Sequence, residues 1–565
     1  MSARARRRAA AVGLLLTLLL VLPTSWAGPA PALAAAPPAD PPAVVVPPLY
    51  LEQPVSWQRC DFDLYVRDLY PRAPRTRCAT LVVPMDWRHP AAHPDITLAV
   101  ALSRATGTSK GLLTVDPADP GSSALDAPAL YAADKHRLFT DFDLLGVDPR
   151  GFGQSQQASC PASSAELDRL PAVVDHRVRS VRTRRAEVAE AQLLARACRS
   201  SELAGFLGSE QQVADLEFVR AYLERHRSPG APSYERLNYL GFSYGSWVGA
   251  RYADAHPEHT GRVVLDSGPD WTSSLYTDQL RSVAAYQRRR DQMFFPWLAR
   301  QDRRYHLGRT SAAVRRRYEQ IRTGVARAYA ADLSPVPAQT LDEDVAALLL
   351  SDADFPDAAA TLRDYAGYAE TDRSGRRAPR TRTGSTAGPA PHRLGSAPST
   401  RAAAGDEDVE LDAALAVRCA DSAYPRAVSA VLDRADTESR RHPFVGYRST
   451  VGMCSYWSSP VAARTVDLAG APPVLMVQSE GDPVAAYEGA LAAHRRTAGR
   501  TRLVSVADSG EHQVYLSGVS PCADRLVDGF LFAGRLPADT TCAARPLPRE
   551  STVHPLAGPV PTPRR

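Results

Sequence analysis

Apolar positions along the chain fall into short continuous runs separated by stretches in which they recur every three or four residues, as expected when strands and helices take turns. The runs Gly111–Val115, Phe142–Val147, Leu237–Leu240, Arg262–Leu265, Pro473–Gln478 and Arg502–Val506 each end in turn residues, as strands buried on both faces do. Ala79–Pro84 and Ile96–Ser103 read as antiparallel edge strands. Helical spacing in Glu187–Arg199 and Gln211–Arg225, and a helix over Ser246–Ala255 directly after a strand, complete the pattern of an α/β, mostly parallel, doubly wound sheet. The alternation stops between Trp271 and Pro460. There Ser273–Arg304, Ala312–Ala331, Leu341–Leu350, Ala358–Ala369 and Asp412–Cys419 predict helices, so this region is expected to be a helical cap inserted between two strands of one sheet. Within it, Thr371–Arg401 is rich in Arg, Ser, Thr, Gly and Pro and is expected to be a disordered loop.

The first residues change the picture from a bare fold to a compartment. Arg4, Arg6, Arg7 and Arg8 precede the apolar run Ala9–Leu22, and small residues follow at Ala27 and Ala32–Ala34, the order of a secretory signal peptide. The run is shorter than the ~20 residues a membrane-spanning helix needs, so no stable span is expected after cleavage. The expected layout is a signal peptide over 1–34, a Pro-rich leader over 35–54, core over 55–270 and 461–545, cap over 271–460, and a disordered tail over 546–565. Eight cysteines, an even number in an exported chain, favour disulfides, with metal binding the alternative. They fall into sequential couples, which predicts Cys60–Cys78, Cys160–Cys198, Cys419–Cys454 and Cys522–Cys542.

Composition, at 44% hydrophobic and 23% charged, excludes wholesale disorder and fibrous folds. The net charge of +5 suggests an acidic partner only until it is apportioned. Four positive charges lie in the signal peptide, and residues 371–401 hold seven arginines against Asp372, which leaves the remainder near −5. A mildly acidic body does not predict nucleic-acid binding.

The chemistry is concentrated in Gly241-Phe242-Ser243-Tyr244-Gly245, a G-x-S-x-G between an apolar strand and an amphipathic helix. A nucleophile elbow needs glycines on both sides of the serine, because the tight turn leaves no room for side chains. It also places Ser243 at a helix N-terminus, where free N–H groups favour developing negative charge. The acid and base should follow in that order at the ends of later strands. Asp482 and His512 occupy those places; Glu480 is the alternative acid, and His494 the nearest rival base. His512 would take the proton of Ser243, and Asp482 would fix its tautomer. Such a site requires no cofactor and no metal. His256-Pro257-Glu258-His259 has H-x-x-H spacing, but its proline breaks the helix a zinc motif would need. Gly151-Phe152-Gly153 lacks the third glycine of a dinucleotide fingerprint, and there is no P-loop.

Cys78–Pro84, Phe142–Ser155 with its Asp148-Pro149-Arg150-Gly151, the elbow through Gly249, Arg262–Asp266, Cys419-Ala420-Asp421 and Gln478–Tyr515 with Cys522 together resemble the secreted tripeptidyl-aminopeptidase-like family of actinobacterial α/β-hydrolases, related to proline iminopeptidases. The resemblance spans about residues 55 to 545 apart from 371–401. It implies an α/β-hydrolase fold with a helical cap, and release of short peptides from substrates with a free N-terminus. It also implies an oxyanion hole of backbone N–H groups, here Tyr244 and Ala118. The chain departs from the family in reading Asp116-Pro117-Ala118-Asp119-Pro120-Gly121 where relatives carry Gly-Gly-Pro-Gly, and in Ala485 where they often carry Thr. An ionised Asp119 would either oppose the oxyanion or hold a substrate ammonium. Asp421 is the first candidate for that ammonium and Asp119 the second; Trp271, Tyr244 and Trp457 are candidates for the apolar part of the pocket. A secreted esterase or amidase on small acyl substrates, and a catalytically impaired hydrolase-fold binding protein, are the alternatives.

Overall fold

Ten strands pair into one sheet, and their order explains the run-and-turn pattern of the sequence. In a computed structural model describing residues 46–62, 76–116, 119–129, 137–370, 408–410, 413–457, 466–497 and 499–558, they are β1 (Gln58–Arg59), β2 (Thr76–Pro84), β3 (Asp95–Ser103), β4 (Leu112–Asp116), β5 (Asp143–Val147), β6 (Leu237–Phe242), β7 (Thr260–Asp266), β8 (Val474–Ser479), β9 (Thr501–Ala507) and β10 (Thr540–Ala543). The order across the sheet is β1-β2-β3-β5-β4-β6-β7-β8-β9-β10. The first strands pair antiparallel, and β4 with β5 and every pair from β4 through β10 is parallel. β6 and β8 are buried at every position, as strands covered by helices on both faces must be.

Helices α1 (Val181–Arg199), α2 (Ser209–Arg225) and α3 (Tyr244–Ala255) lie before the chain leaves the sheet at Asp266. It returns at Val474. Between come α4 (Leu275–Arg288), one π-helical turn (Arg289–Phe294), α5 (Phe295–Arg300), α6 (Ser311–Ala330), α7 (Ala338–Leu348), α8 (Phe355–Glu370), α9 (Ala414–Asp421) and α10 (Val428–Arg441). This insertion has an apolar core of its own around Phe294, Trp297, Leu298, Tyr318 and Phe355. Its one described strand, Asp408–Glu410, pairs antiparallel with Pro161–Ser163. Two helices of the C-terminal part, α11 (Tyr487–Arg496) and α12 (Pro521–Ala533), complete the layers.

The cysteines pair with their sequence neighbours, Cys60–Cys78, Cys160–Cys198, Cys419–Cys454 and Cys522–Cys542. Among the described residues no helix is long and apolar enough to cross a membrane. The segment read as a disordered tail is held as far as 558. Leu547 is buried in the insertion's core, Trp297 Nε1 donates to the Pro548 carbonyl at 2.9 Å, Arg300 pairs with Glu550 at 2.7 Å, and the Leu556 N–H reaches Asp508 at 2.9 Å. Its sequence lacks periodicity because its partners are scattered side chains and not a strand or helix. The segments read as a signal peptide, as a Pro-rich leader (to 45) and as the 371–401 disordered loop lie outside the described residues.

Candidate active site

The turn at Ser243 is built by the residues around it. Ser243 takes φ 48° and ψ −116°, a conformation that costs a non-glycine residue about 1–3 kcal/mol. A Cβ on Gly241 would lie 2.5 Å from the Gly245 carbonyl oxygen and 2.7 Å from the Tyr239 ring, so the turn closes only with glycine there. The Tyr239 hydroxyl lies 2.9 Å from the Gly245 carbonyl and 2.5 Å from Asp116 Oδ2. With one proton to give, it serves both partners when Asp116 is protonated, and burial raises the Asp116 carboxyl to about 6. Tyr244 opens α3, so its N–H has no acceptor within the helix. Ala118, the other expected oxyanion donor, lies outside the described residues.

His512 and Asp482 meet directly. His512 Nδ1 and Asp482 Oδ2 are 2.9 Å apart. Gln478 Nε2 donates to the same oxygen at 2.9 Å, while Oδ1 accepts from the N–H groups of Val484 and Ala485 at 2.8 and 3.0 Å. The Ala485 backbone therefore orients the carboxylate without a hydroxyl side chain. Burial alone would push the His512 imidazolium down, but Asp482, helped by Asp266 and Asp119, outweighs it and raises the imidazole above its ordinary value. Glu480 accepts from the Asp508 N–H, and His494 is occupied by Thr501 and Asp539, so neither replaces its rival.

One strand end straps Ser243 and the His512 loop together, a role no local motif announces. The Ser243 N–H donates to the Asp266 carbonyl at 2.9 Å. The Asp266 carboxylate accepts from the N–H groups of Val514 (3.0 Å) and Tyr515 (2.6 Å), and Ser267 Oγ accepts from that of Gln513 at 2.9 Å. The three residues after His512 thus hang on the end of β7, to which Ser243 is also tied.

The expected substrate carboxylates divide. Asp421 is enclosed: its oxygens accept from the Ser209 N–H and the Tyr244 hydroxyl, and burial raises its carboxyl. It joins α9 to the starts of α2 and α3, and each of its oxygens takes one of these contacts. Asp119 is half-buried and close enough to His512 and Tyr286 to bias their ionisation. Trp271, Tyr244 and Trp457 all belong to the main apolar core.

Glu217, His256 and His259 bring possible metal-ligand atoms within 4.8 Å of one another. The donor set does not suit a cation. Arg220 grips both Glu217 oxygens (2.5 and 2.9 Å), and Tyr252 and His259 fill the remaining lone pairs at 2.9 and 2.7 Å.

A family model described as TAP-like protein matches residues 442–542, the segment that contains Asp482 and His512. A tripeptidyl aminopeptidase of Streptomyces lividans is 31% identical over 88% of this chain and 88% of its own, and one of Streptomyces coelicolor is 30% identical over 88% and 87%. The chain belongs to the tripeptidyl aminopeptidase family. Members of this family are α/β-hydrolases, and the sheet order and elbow described above are those of that fold. The serine protease Hip1 of Mycobacterium tuberculosis is 32% identical over 42% of this chain and 44% of its own. The protein is accordingly a serine hydrolase of the peptidase type.

Proposed function

We propose that this family member is an exported peptidase that releases short peptides from free N-termini through an acyl-enzyme on Ser243. The observation that carries the reading is the 2.9 Å contact between His512 Nδ1 and a fully hydrogen-bonded Asp482, on a loop strapped to the same strand end as Ser243. Ser243 Oγ attacks the scissile carbonyl as its proton passes to His512 Nε2, and Asp482 stabilises the imidazolium. The Tyr244 and Ala118 N–H groups receive the oxyanion. His512 then protonates the leaving amine, and water, deprotonated by the same imidazole, hydrolyses the ester. With Asp421 enclosed, Asp119 is the carboxylate for the substrate ammonium. Export follows from the signal-peptide pattern and suits the four disulfides.

The test pairs wild type with Ser243→Ala, first with a fluorophosphonate probe, then with chromogenic tripeptides whose N-terminus is free or acetylated. Labelling of wild type alone, with turnover abolished by acetylation, is expected. Equal turnover of acetylated peptides or simple esters would indicate an esterase or amidase, and absence of labelling an impaired hydrolase. Asp119→Gly should weaken binding of free-N-terminus peptides; a faster rate instead would mean that Asp119 opposes the oxyanion.

A further inference from the structure

The turn between α7 and α8, residues 349–354, meets the loop that carries His512, residues 508–515, and the two exchange bonds in both directions. From the insertion, Asp352 accepts from Ser509 Oγ (2.7 Å, Oδ2) and from the Gly510 N–H (3.2 Å, Oδ1). The Leu350 carbonyl accepts the backbone N–H of His512 itself at 2.8 Å. In return Glu511 Oε2 accepts from the Asp352 N–H at 2.6 Å and from Ser351 Oγ at 3.2 Å. Arg289 pins the arrangement. Its Nη1 lies 2.7 Å from Asp352 Oδ1, its Nε donates to the Leu349 carbonyl at 3.0 Å, and its guanidinium stacks 4.6 Å from the Phe355 ring centroid. Arg289 is fully enclosed and opens the π-helical turn after α4, a distortion that recurs at functional sites. Gly510 is required by this contact, since a Cβ there would lie 2.2 Å from Arg289 Nη1.

We propose that Arg289 and Asp352 are positioning residues for His512: the insertion holds residues 509–512 against the pull of Asp266 and Ser267 on residues 513–515, and the imidazole is set between two anchors. The inference rests on the reading of His512 as the catalytic base. Neither residue touches the reacting atoms. The base is instead located from the helical insertion as much as from the sheet, so a shift of the insertion relative to the sheet carries His512 with it.

The test is a kcat-against-KM split with a pH profile, on the intact enzyme and a free-N-terminus chromogenic tripeptide. Asp352→Ala is expected to lower kcat by about 10–100-fold, the cost of an ångström-scale misplacement, with little change in KM. The groups facing His512, namely Asp482, Asp266 and Asp119, together raise its imidazole. A loosened loop weakens the Asp482 contact, so the acidic limb of kcat/KM should move to lower pH. Asp352→Asn, which keeps acceptors for Arg289 and Gly510, should recover most of the loss, and Gly510→Ala should reproduce it by displacing Arg289. Asp342→Asn is the control. Asp342 is likewise buried in the insertion, and its hydrogen bonds and ion pairs among the described residues go to Arg177, Arg322 and Tyr318. Wild-type kcat and pH limb in a folded Asp352→Ala would overturn the proposal, as would an equal kcat loss and limb shift in Asp342→Asn. Full activity in a folded His512→Ala would instead remove the underlying reading of the base.

Discussion

Asp482→Asn is the sharpest perturbation of the site, because the surroundings dictate how the new amide must lie. Oδ1 of Asp482 faces two backbone donors, Val484 and Ala485, while Oδ2 faces His512 Nδ1 and Gln478 Nε2. Turning the asparagine NH2 toward the backbone would oppose two buried N–H groups, at about 1–3 kcal/mol each. Turning it toward His512 is cheaper. The imidazole can offer Nδ1 as an acceptor, and Gln478, whose Oε1 has no partner among the described residues, can rotate to accept the other amide proton at the cost of its bond to the Ala485 carbonyl. The ring proton then sits on Nε2, the nitrogen that must accept the proton of Ser243. Loss of one charged hydrogen bond would cost about 1.5–3 kcal/mol. The wrong tautomer costs ~10⁴ in kcat, or about 5.5 kcal/mol of barrier, and is expected to dominate. The assay is kcat on a chromogenic tripeptide, with the urea midpoint as the check that the fold persists. A folded variant within tenfold of wild type would refute the assignment of Asp482.

Gly241→Ala forces a Cβ against the Gly245 carbonyl and the Tyr239 ring; a loss of about 1–3 kcal/mol in urea unfolding and abolished fluorophosphonate labelling are expected. Asp116 holds its proton more tightly folded, at about 6 against 3.8 unfolded, so its contribution to stability is full below pH 4 and is lost as pH rises through 6. Asp116→Asn lacks this term, and the stability gap should therefore shift in the variant's favour by up to about 2–3 kcal/mol between pH 4 and pH 7; a pH-independent gap in urea unfolding would contradict it. Replacing both Cys419 and Cys454 by Ser reopens a span of 35 residues and should cost about 4 kcal/mol, read as a lower urea midpoint that reductant does not change further at that bridge.

The elbow turn and the meeting of Asp482 with His512 were legible because each residue is signalled locally. Gly241 and Gly245 bracket a serine between a strand and a helix, and Asp482 and His512 follow strands in the order the fold demands. The strap and the clamp were not. Asp266 meets Val514 and Tyr515, and Asp352 meets Ser509 and Gly510, across some 150 to 250 residues of chain, and no spacing rule encodes such encounters. Asp421 stood out in Cys419-Ala420-Asp421, but its partners Tyr244 and Ser209 come from other elements, so an enclosed carboxylate could not be told from an open one. Thr540–Ala543 and Val428–Arg441 were missed for a compositional reason: a short edge strand of Thr-Thr-Cys-Ala and a helix with few apolar residues give weak periodic signals.

Each of the three site residues is tied to the helical insertion as well as to the sheet. Ser243 precedes Tyr244, whose hydroxyl is held by Asp421 of α9. Asp482 precedes Pro483, whose carbonyl accepts from Ser282 Oγ of α4 at 2.9 Å. His512 donates its own N–H to Leu350. The sheet ends supply the strained turn, which local sequence specifies; the strap and the insertion's opposing contacts join residues far apart in the chain. Because the insertion has a separate apolar core, its loosening is expected to displace the Asp482 and His512 loops and the start of α3 together.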